Sequence, residues 1–358
     1  MPVSDKFQDK VRFIKPTRPA IIDVVLNPVH VAQNKIRGIE TSLMLDTNIL
    51  INIERIIKDG NKWSNIKNAG LHRLIMFLQK CPPQSICLSV GNALAEMPPA
   101  RAEISRQLYE YFLSVHLPNF VDAPNSDTQI FKGKDSDYGF RDLDKLHQKV
   151  LAIPYINFLY LNLMFYGVDD LPENKYIRYL DIIEEKVDLL CMTEMEISRY
   201  CFHSPRSLNS DIWKIIKKVR NNSIGWDLFK NKKITAKDIY KIAFNAASDI
   251  NFLQCANATD LNGLDGVPQD TWIATCDQKL ADFSEIFHHI GDRHEAGKIG
   301  AIATIPEHED DKYWLITQTE FVVRNAKRAQ YHAARDIDLE SMIDVAIKAE
   351  QDILDVFG

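Results

Sequence analysis

The sequence lacks several common signals of function. It contains no Walker A motif and no G-x-G-x-x-G, so nucleotide hydrolysis has no support. Its six cysteines form no C-x-x-C pair, which indicates neither a zinc ribbon nor a disulfide scaffold. The first residues, MPVSDKFQDKVRFIKP, are polar and charged and have no secretory apolar region. We therefore expect reduced thiols in a cytoplasmic protein.

The chain also lacks a strong charge of either sign. A formal net charge of −6 and a pI of about 6.0 do not indicate a protein that coats nucleic acid, although they permit a local basic face. The length of 358 residues suggests two domains, or one large domain with an insertion. With 46% hydrophobic and 26% charged residues, the chain has enough apolar material for a sizeable core.

One long uncharged segment, VLAIPYINFLYLNLMFYGV at 150–168, is almost long enough to span a bilayer. It contains Pro154, Asn157 and Asn162, and neither flank shows a strong Lys or Arg bias. We therefore predict a buried helix and no membrane association.

Short apolar runs and helical periodicity alternate over the first part of the chain. SLMLD is followed by the helix patterns NILINIERIIKDG and GLHRLIMFLQKCPP, and then by the predicted strand 86–90. This order predicts an α/β fold with a parallel sheet.

Helix patterns fill the region after residue 98, and strand character returns at TWIATCD, 271–277. The predicted organisation is a core at 41–98 and 236–290, an N-terminal extension at 1–40, a helical insertion at 99–235 and a helical C-terminal extension at 291–358.

Carboxylates follow the predicted strands. Asp46 and Asp277 end two of them, and Glu96 lies on a short helix after the third. Asp249 lies in the helix before the last strand. Ligand sites of parallel sheets form at the carboxyl ends of the strands, so these acids are expected to converge. Clustered carboxylates repel one another and need cations, for which one or two Mg²⁺ or Mn²⁺ ions are best suited. Two such ions about 4 Å apart activate water and stabilise the leaving oxygen of a phosphodiester.

Each acid also has an ordinary interpretation. Asp46 and Asp277 could cap helices, Glu96 could face solvent, and Asp249 could form a buried hydrogen bond or simply be exposed. Three other carboxylates compete for the site. Asp270 precedes the last strand at the opposite edge of the sheet, which predicts a turn residue, while Asp260 and Asp265 fall in a polar linker and are expected to be solvated.

Four blocks together, LMLDTNILI, LSVGNALAEM, AASDINFLQCAN and WIATCDQKL, resemble the signature blocks of PIN domains, which are metal-dependent ribonucleases. The resemblance implies a three-layer α/β/α core in which Asp46, Glu96, Asp249 and Asp277 bind the metal. It also implies supporting polar roles for Asn48 and Thr275. Because many members are toxins, it raises an antitoxin as a partner protein.

A basic stretch follows in the predicted insertion. Lys214, Lys217 and Lys218 share a helix face by their spacing, and Trp213 and Trp226 are close in sequence. This composition is typical of a surface that tracks phosphates and stacks a base. The alternative is a solvated helix face with core tryptophans. The predicted nucleic-acid-binding residues are Lys214, Lys217, Lys218, Arg220, Lys232 and Lys233.

The function that these patterns predict is an endoribonuclease that hydrolyses phosphodiester bonds with Mg²⁺ or Mn²⁺. Two alternatives stay open: a catalytically idle scaffold or RNA-binding module, and a structure-selective DNA nuclease. A metal site contacts phosphate and not the 2′-hydroxyl, so the sequence does not separate RNA from DNA as substrate. A homo-oligomer also remains open.

Overall fold

The computed structural model describes residues 9–18, 25–120, 138–204, 211–229, 231–264, 266–290, 301–303, 312–332 and 337–358. The chain divides into two compact units. The first contains Met1–Tyr138 and Phe252–Ala303, and the second contains Gly139–Asn251 and Thr304–Gly358. These bounds differ from the predicted core and insertion, because the first unit runs on past residue 98. Asp265 lies outside the described residues.

The described residues form a mostly helical α/β protein with a small mixed sheet. Its strands are β1 (Arg12–Ile14), β2 (Thr17–Arg18), β3 (Glu40–Leu45), β4 (Ile86–Ser89), β5 (Gln269–Thr275), β6 (His288–Ile290) and β7 (Ala301–Ala303). Its helices are α1 (Pro28–Ile36), α2 (Thr47–Lys58), α3 (Trp63–Ala69), α4 (His72–Lys80), α5 (Gly91–Ala95), α6 (Pro99–His116), α7 (Lys145–Gly167), α8 (Pro172–Lys186), α9 (Met192–Phe202), α10 (Asp211–Ser223), α11 (Trp226–Phe229), α12 (Ala236–Asn262), α13 (Gln278–Ile286), α14 (Lys312–His332) and α15 (Leu339–Phe357).

All seven strands belong to the first unit. The main sheet has the order β1-β5-β3-β4, in which β5, β3 and β4 are parallel and β1 is antiparallel to β5. The three parallel strands confirm the predicted parallel sheet. Strand β1 was missed, because it comes from the segment predicted as an N-terminal extension. A second sheet has the order β2-β6-β7.

The central strands β3 and β5 are buried almost throughout, although both contain polar residues. Strand β5 is buried at every position, and β3 is buried from Thr41 onwards. Helix α2 contributes Ile49, Ile53 and Ile56 to the core of this unit, and their spacing places them on one helix face. Helix α6, which was predicted to lie in the insertion, packs against α2 and belongs to the same core.

The second unit is built around α7, which contains the long uncharged segment. By length and composition alone, α7 could cross a membrane, but most of its apolar stretch is buried inside the protein. Helices α8, α9 and α15 pack against it. The Tyr155 hydroxyl donates to Glu350 at 2.7 Å, and the Tyr160 hydroxyl donates to Asp352 at 2.7 Å. These contacts agree with the predicted buried helix.

Candidate functional site

Three of the predicted acids lie at the carboxyl end of the parallel strands. Asp46 directly follows β3, Asp277 comes two residues after β5, and Glu96 ends the short helix α5 that follows β4. The backbone N–H of Asp46 donates to the carbonyl of Ala274 at 3.0 Å, which carries the β3–β5 ladder one residue further. This extension brings Asp46 beside Thr275, the last residue of β5.

Asp46 is only 8% exposed, and the side chains that donate hydrogen bonds to its carboxylate are neutral. Its Oδ2 accepts a hydrogen bond from the Thr275 hydroxyl at 2.5 Å and another from the Asn48 amide at 3.1 Å. Both supporting residues predicted from the sequence therefore contact Asp46. Asp46 occupies the N-cap position of α2, but its side chain makes no capping hydrogen bond. Helix capping therefore does not account for this carboxylate.

Burial raises the pKa of Asp46, and the negative charge of Asp277 raises it further. The hydrogen bonds from Thr275 and Asn48 act in the opposite direction, because they stabilise the ionised form. The carboxylate is thus held in place by neutral donors but is not compensated by a positive charge.

Glu96 is partly buried and has a similar environment. Burial raises the pKa of Glu96 to about 7, and the charge of Asp46 contributes to this rise. The Thr47 hydroxyl donates to Glu96 Oε2 at 2.5 Å, which lowers the pKa. Thr47 was not among the predicted site residues. Its position directly after Asp46 is the sequence signal that could have found it.

Asp277 has two roles. Its Oδ1 accepts from the backbone N–H groups of Lys279 at 2.6 Å and Leu280 at 3.4 Å, so Asp277 caps α13. Its own N–H donates to the Thr275 hydroxyl at 2.8 Å, and that hydroxyl donates to Asp46. Thr275 therefore links the two acids by hydrogen bonds.

Asp249 belongs to the second unit, on the part of α12 before Phe252. It is partly buried and accepts a hydrogen bond from the Asn222 amide at 3.0 Å. The prediction that Asp249 joins the other three acids stays a prediction.

Within the described ranges, no three His, Cys, Asp or Glu side chains are positioned together to hold one metal ion. The carboxylates interact in pairs instead, Asp46 with Asp277 and Asp46 with Glu96. The available donors are oxygens of carboxylates, hydroxyls and an amide, which suit Mg²⁺ or Mn²⁺ in kind. Bound Mg²⁺ or Mn²⁺ stays a prediction.

The opposite end of the sheet also contains buried acids, but these share a buried lysine. Lys15 forms ion pairs with Asp260 and with Asp270, the latter at 3.0 Å, and all three side chains are buried. His30 Nε2 lies 2.6 Å from Asp270 Oδ2, and Asn34 donates to the same oxygen at 2.5 Å. In contrast, no Lys or Arg in the part of the chain that the structure describes forms an ion pair with Asp46, Glu96 or Asp277.

This second cluster corrects two predictions. Asp260 was expected to be solvated in a linker, but it lies in the last turn of α12 and is 3% exposed. Asp270 was expected in a turn. It is at the predicted edge of the sheet, but it lies inside β5 and is completely buried. Lys15 explains both, since it supplies the charge that permits two carboxylates to be buried.

The predicted nucleic-acid-binding residues divide into two groups. Lys214, Lys217 and Lys218 are exposed on α10, and Lys232 and Lys233 are exposed after α11. Lys214 pairs with Asp211 at 2.8 Å, and Lys217 pairs with Asp227 at 3.4 Å.

Arg220 does not belong to this surface. It is buried and donates hydrogen bonds to the carbonyls of Cys201 and His203 at 2.9 and 2.7 Å. Its guanidinium lies 5.0 to 5.4 Å from the ring centroids of Phe165, Trp213 and Trp226. The two tryptophans predicted to stack a base thus pack against Arg220, and all three residues have a structural role.

Comparisons with models of known protein families, with curated proteins and with solved structures give no match for this chain. The resemblance to PIN domains therefore depends on the four sequence blocks and stays a prediction.

Proposed function

We propose that the protein is a metal-dependent phosphodiesterase that cleaves RNA, with a PIN-like core in its first unit. One observation carries this proposal. Asp46, Glu96 and Asp277 lie at the carboxyl end of three parallel strands, and no Lys or Arg of the described residues forms an ion pair with them. Ligand sites of parallel sheets form at this end, and partly buried acids without a counter-charge are strained when ionised.

In this proposal, Mg²⁺ or Mn²⁺ supplies the missing positive charge and polarises the phosphoryl oxygen of the substrate. Asp46, Glu96 and Asp277 would hold the ion. The hydroxyl of Thr275 and the amide of Asn48 orient Asp46 through their hydrogen bonds. Asp277 caps α13 and Glu96 accepts from Thr47, so an ion would compete with these hydrogen bonds for the carboxylate oxygens.

The alternative of a module that binds RNA without cleaving it has one observation in its favour. No three potential ligands within the described ranges form a ready metal group. An enzyme and an idle module differ in what the metal does, so an activity assay with metal and with chelator separates the two functions.

The experiment is incubation of the full chain with labelled single-stranded RNA and DNA, with Mn²⁺, with Mg²⁺ and with chelator. We expect metal-dependent cleavage of RNA, and cleavage of DNA would instead favour the DNA nuclease. In Asp46→Asn, cleavage should fall at least about a hundredfold, since the variant loses one charged metal ligand. The matched control is Asp59→Asn, which changes an acid at the other end of α2. Full activity in folded Asp46→Asn would refute the proposal.

A further inference from the structure

The edge strand β1 brings two positive residues to the carboxyl end of β5. Because β1 is antiparallel to β5, Arg12 lies opposite Thr275. The residues before Arg12 therefore run alongside the segment after β5, which contains Cys276 and Asp277. Lys10 and Arg12 thus flank the strand end that carries one of the candidate acids.

The stem of Lys10 packs closely against Gly70, and its backbone N–H donates to the Gly70 carbonyl at 3.2 Å. A Cβ at Gly70 would lie 2.7 Å from Lys10 Cγ, so the absence of a side chain there leaves room for the lysine. The contact with Gly70 thus fixes the stem of Lys10 just before β1.

The charges of Lys10 and Arg12 are available for a ligand. Both residues are exposed, and neither forms an ion pair with any acid in the described segments. Their neighbours differ in this respect. Lys15 is buried between Asp260 and Asp270, and Arg73 lies 3.7 Å from Asp9 and over the ring of Phe13.

We propose that Lys10 and Arg12 bind the phosphodiester backbone of a single nucleic-acid strand beside Asp46 and Asp277. This inference rests on the proposed function, since it assigns the substrate contacts of the same site. Three carboxylates repel an approaching polyanion, and positive side chains at the rim offset that repulsion. An arginine also presents a planar pair of donors that matches phosphate oxygens.

The test compares two double variants of the full chain, both in an Asp46→Asn background that removes cleavage. Lys10→Gln with Arg12→Gln removes the proposed contacts. Arg55→Gln with Lys58→Gln removes the same charge from the exposed last turn of α2, about 12 Å along the helix from its start. Binding of a labelled single-stranded RNA is measured by fluorescence anisotropy over a salt titration with Mg²⁺ present. Circular dichroism and Tm establish that both variants are folded.

We expect Kd to rise about tenfold in the Lys10/Arg12 variant, and the salt slope to fall by about 1.4, which is about 0.7 per lost phosphate contact on a single strand. The Arg55/Lys58 variant should bind like its parent. Equal effects of the two variants, no effect of either, or no RNA binding by the parent would overturn the inference. If binding depends on Lys10 and Arg12 but the unaltered protein never cleaves RNA or DNA with metal, the inference stands and the proposed hydrolase fails.

Discussion

The two ends of the β3–β5 ladder both contain buried carboxylates, and they differ in how the negative charge is balanced. At the amino end, Lys15 forms ion pairs with Asp260 and Asp270, and His30 contacts Asp270 as well. At the carboxyl end, Asp46 and Glu96 receive hydrogen bonds only from hydroxyl, amide and backbone donors of the described residues. The amino end contains its own cation, whereas the carboxyl end needs a proton or an external cation to balance its negative charge.

Buried acids therefore have different consequences for stability at the two ends of the ladder. A buried acid with its own cation holds strands and helices together, and its removal leaves the partner charge unpaired. A buried acid without a cation makes the folded state less stable when it ionises. A cationic ligand that binds the folded state would relieve this strain, which makes the carboxyl end the candidate site.

The largest effect is expected at the amino end. In Lys15→Met, Asp260 and Asp270 lose their shared cation and stay buried, so the free energy of unfolding should fall by about 3–5 kcal/mol. Urea denaturation measures this loss. The control is Lys58→Met, which removes an exposed lysine of α2 and should change stability by less than about 0.5 kcal/mol. A Lys15→Met protein as stable as the control would mean that the amino end does not need its internal cation.

The carboxyl end should respond to metal. If Mn²⁺ or Mg²⁺ binds only the folded state, the free energy of unfolding should rise by about 2.7 kcal/mol at a hundredfold excess over Kd. Thermal denaturation with and without metal measures the rise in Tm.

Two variants locate this metal effect. The rise should shrink in Asp277→Asn, because the site loses a carboxylate. It should persist in Asp270→Asn, although this variant is less stable throughout, because Asp270 lies at the amino end beside Lys15. A Tm that metal leaves unmoved in the unaltered protein would favour the idle module over the enzyme.

A pH titration sharpens the comparison further. Burial and the charge of Asp46 raise the pKa of Glu96 from 4.5 to about 7 in the folded protein. Below pH 4.5 the Glu96 carboxyl is protonated in both the folded and the unfolded protein. The stabilisation that comes from keeping it neutral in the folded state is then fully present. As the pH rises through 7 the folded state must give up this proton, and the contribution is lost.

Relative to Glu96→Gln, the unaltered protein should therefore lose roughly 1–2 kcal/mol of stability between pH 4.5 and pH 8. Chemical denaturation of both proteins across this range measures the difference. Saturating Mn²⁺ should reduce it, since the ion stabilises the ionised carboxylate. Parallel stability curves for the two proteins without metal would contradict the raised pKa of Glu96.

The sequence predicted the carboxyl end well because its signals are local. β4 lies within one residue of its expected position, β3 and β5 each begin two residues before the expected start, and Asp46, Glu96 and Asp277 follow the strands in order. Asn48 and Thr275 are also close to Asp46 along the chain or the ladder. The periodicity of apolar residues locates each strand or helix, and each acid comes soon after one of these elements in sequence.

The amino end escaped prediction because its partners are far apart in sequence. Lys15 and Asp260 are separated by 245 residues, and β1 is only three residues long. No local pattern shows that a lysine just after a short edge strand will form an ion pair with an acid at the end of a helix. Arg220 was misplaced for a different reason: it was grouped with Lys217 and Lys218 by sequence proximity, although it lies four residues after the buried Ile216 and shares its side of α10.

The smallest effect is expected at the exposed lysines of α10 in the second unit. These residues are not part of the sheet, so they serve as a comparison for both of its ends. We predict that Lys214→Glu, Lys217→Glu and Lys218→Glu together weaken RNA binding and flatten its salt dependence, while the metal-induced rise in Tm hardly changes. Lys214 and Lys217 already pair with Asp211 and Asp227, so part of their charge is balanced within the unit. The loss of affinity should therefore be smaller than in the variant Lys10→Gln with Arg12→Gln. This order is expected even though the α10 variant reverses three charges and the other variant only neutralises two. An anisotropy titration of both variants under the same salt conditions decides this order. A larger loss at α10 would move the main RNA contact to the second unit, and unaltered binding across the titration would make α10 an ordinary solvated face.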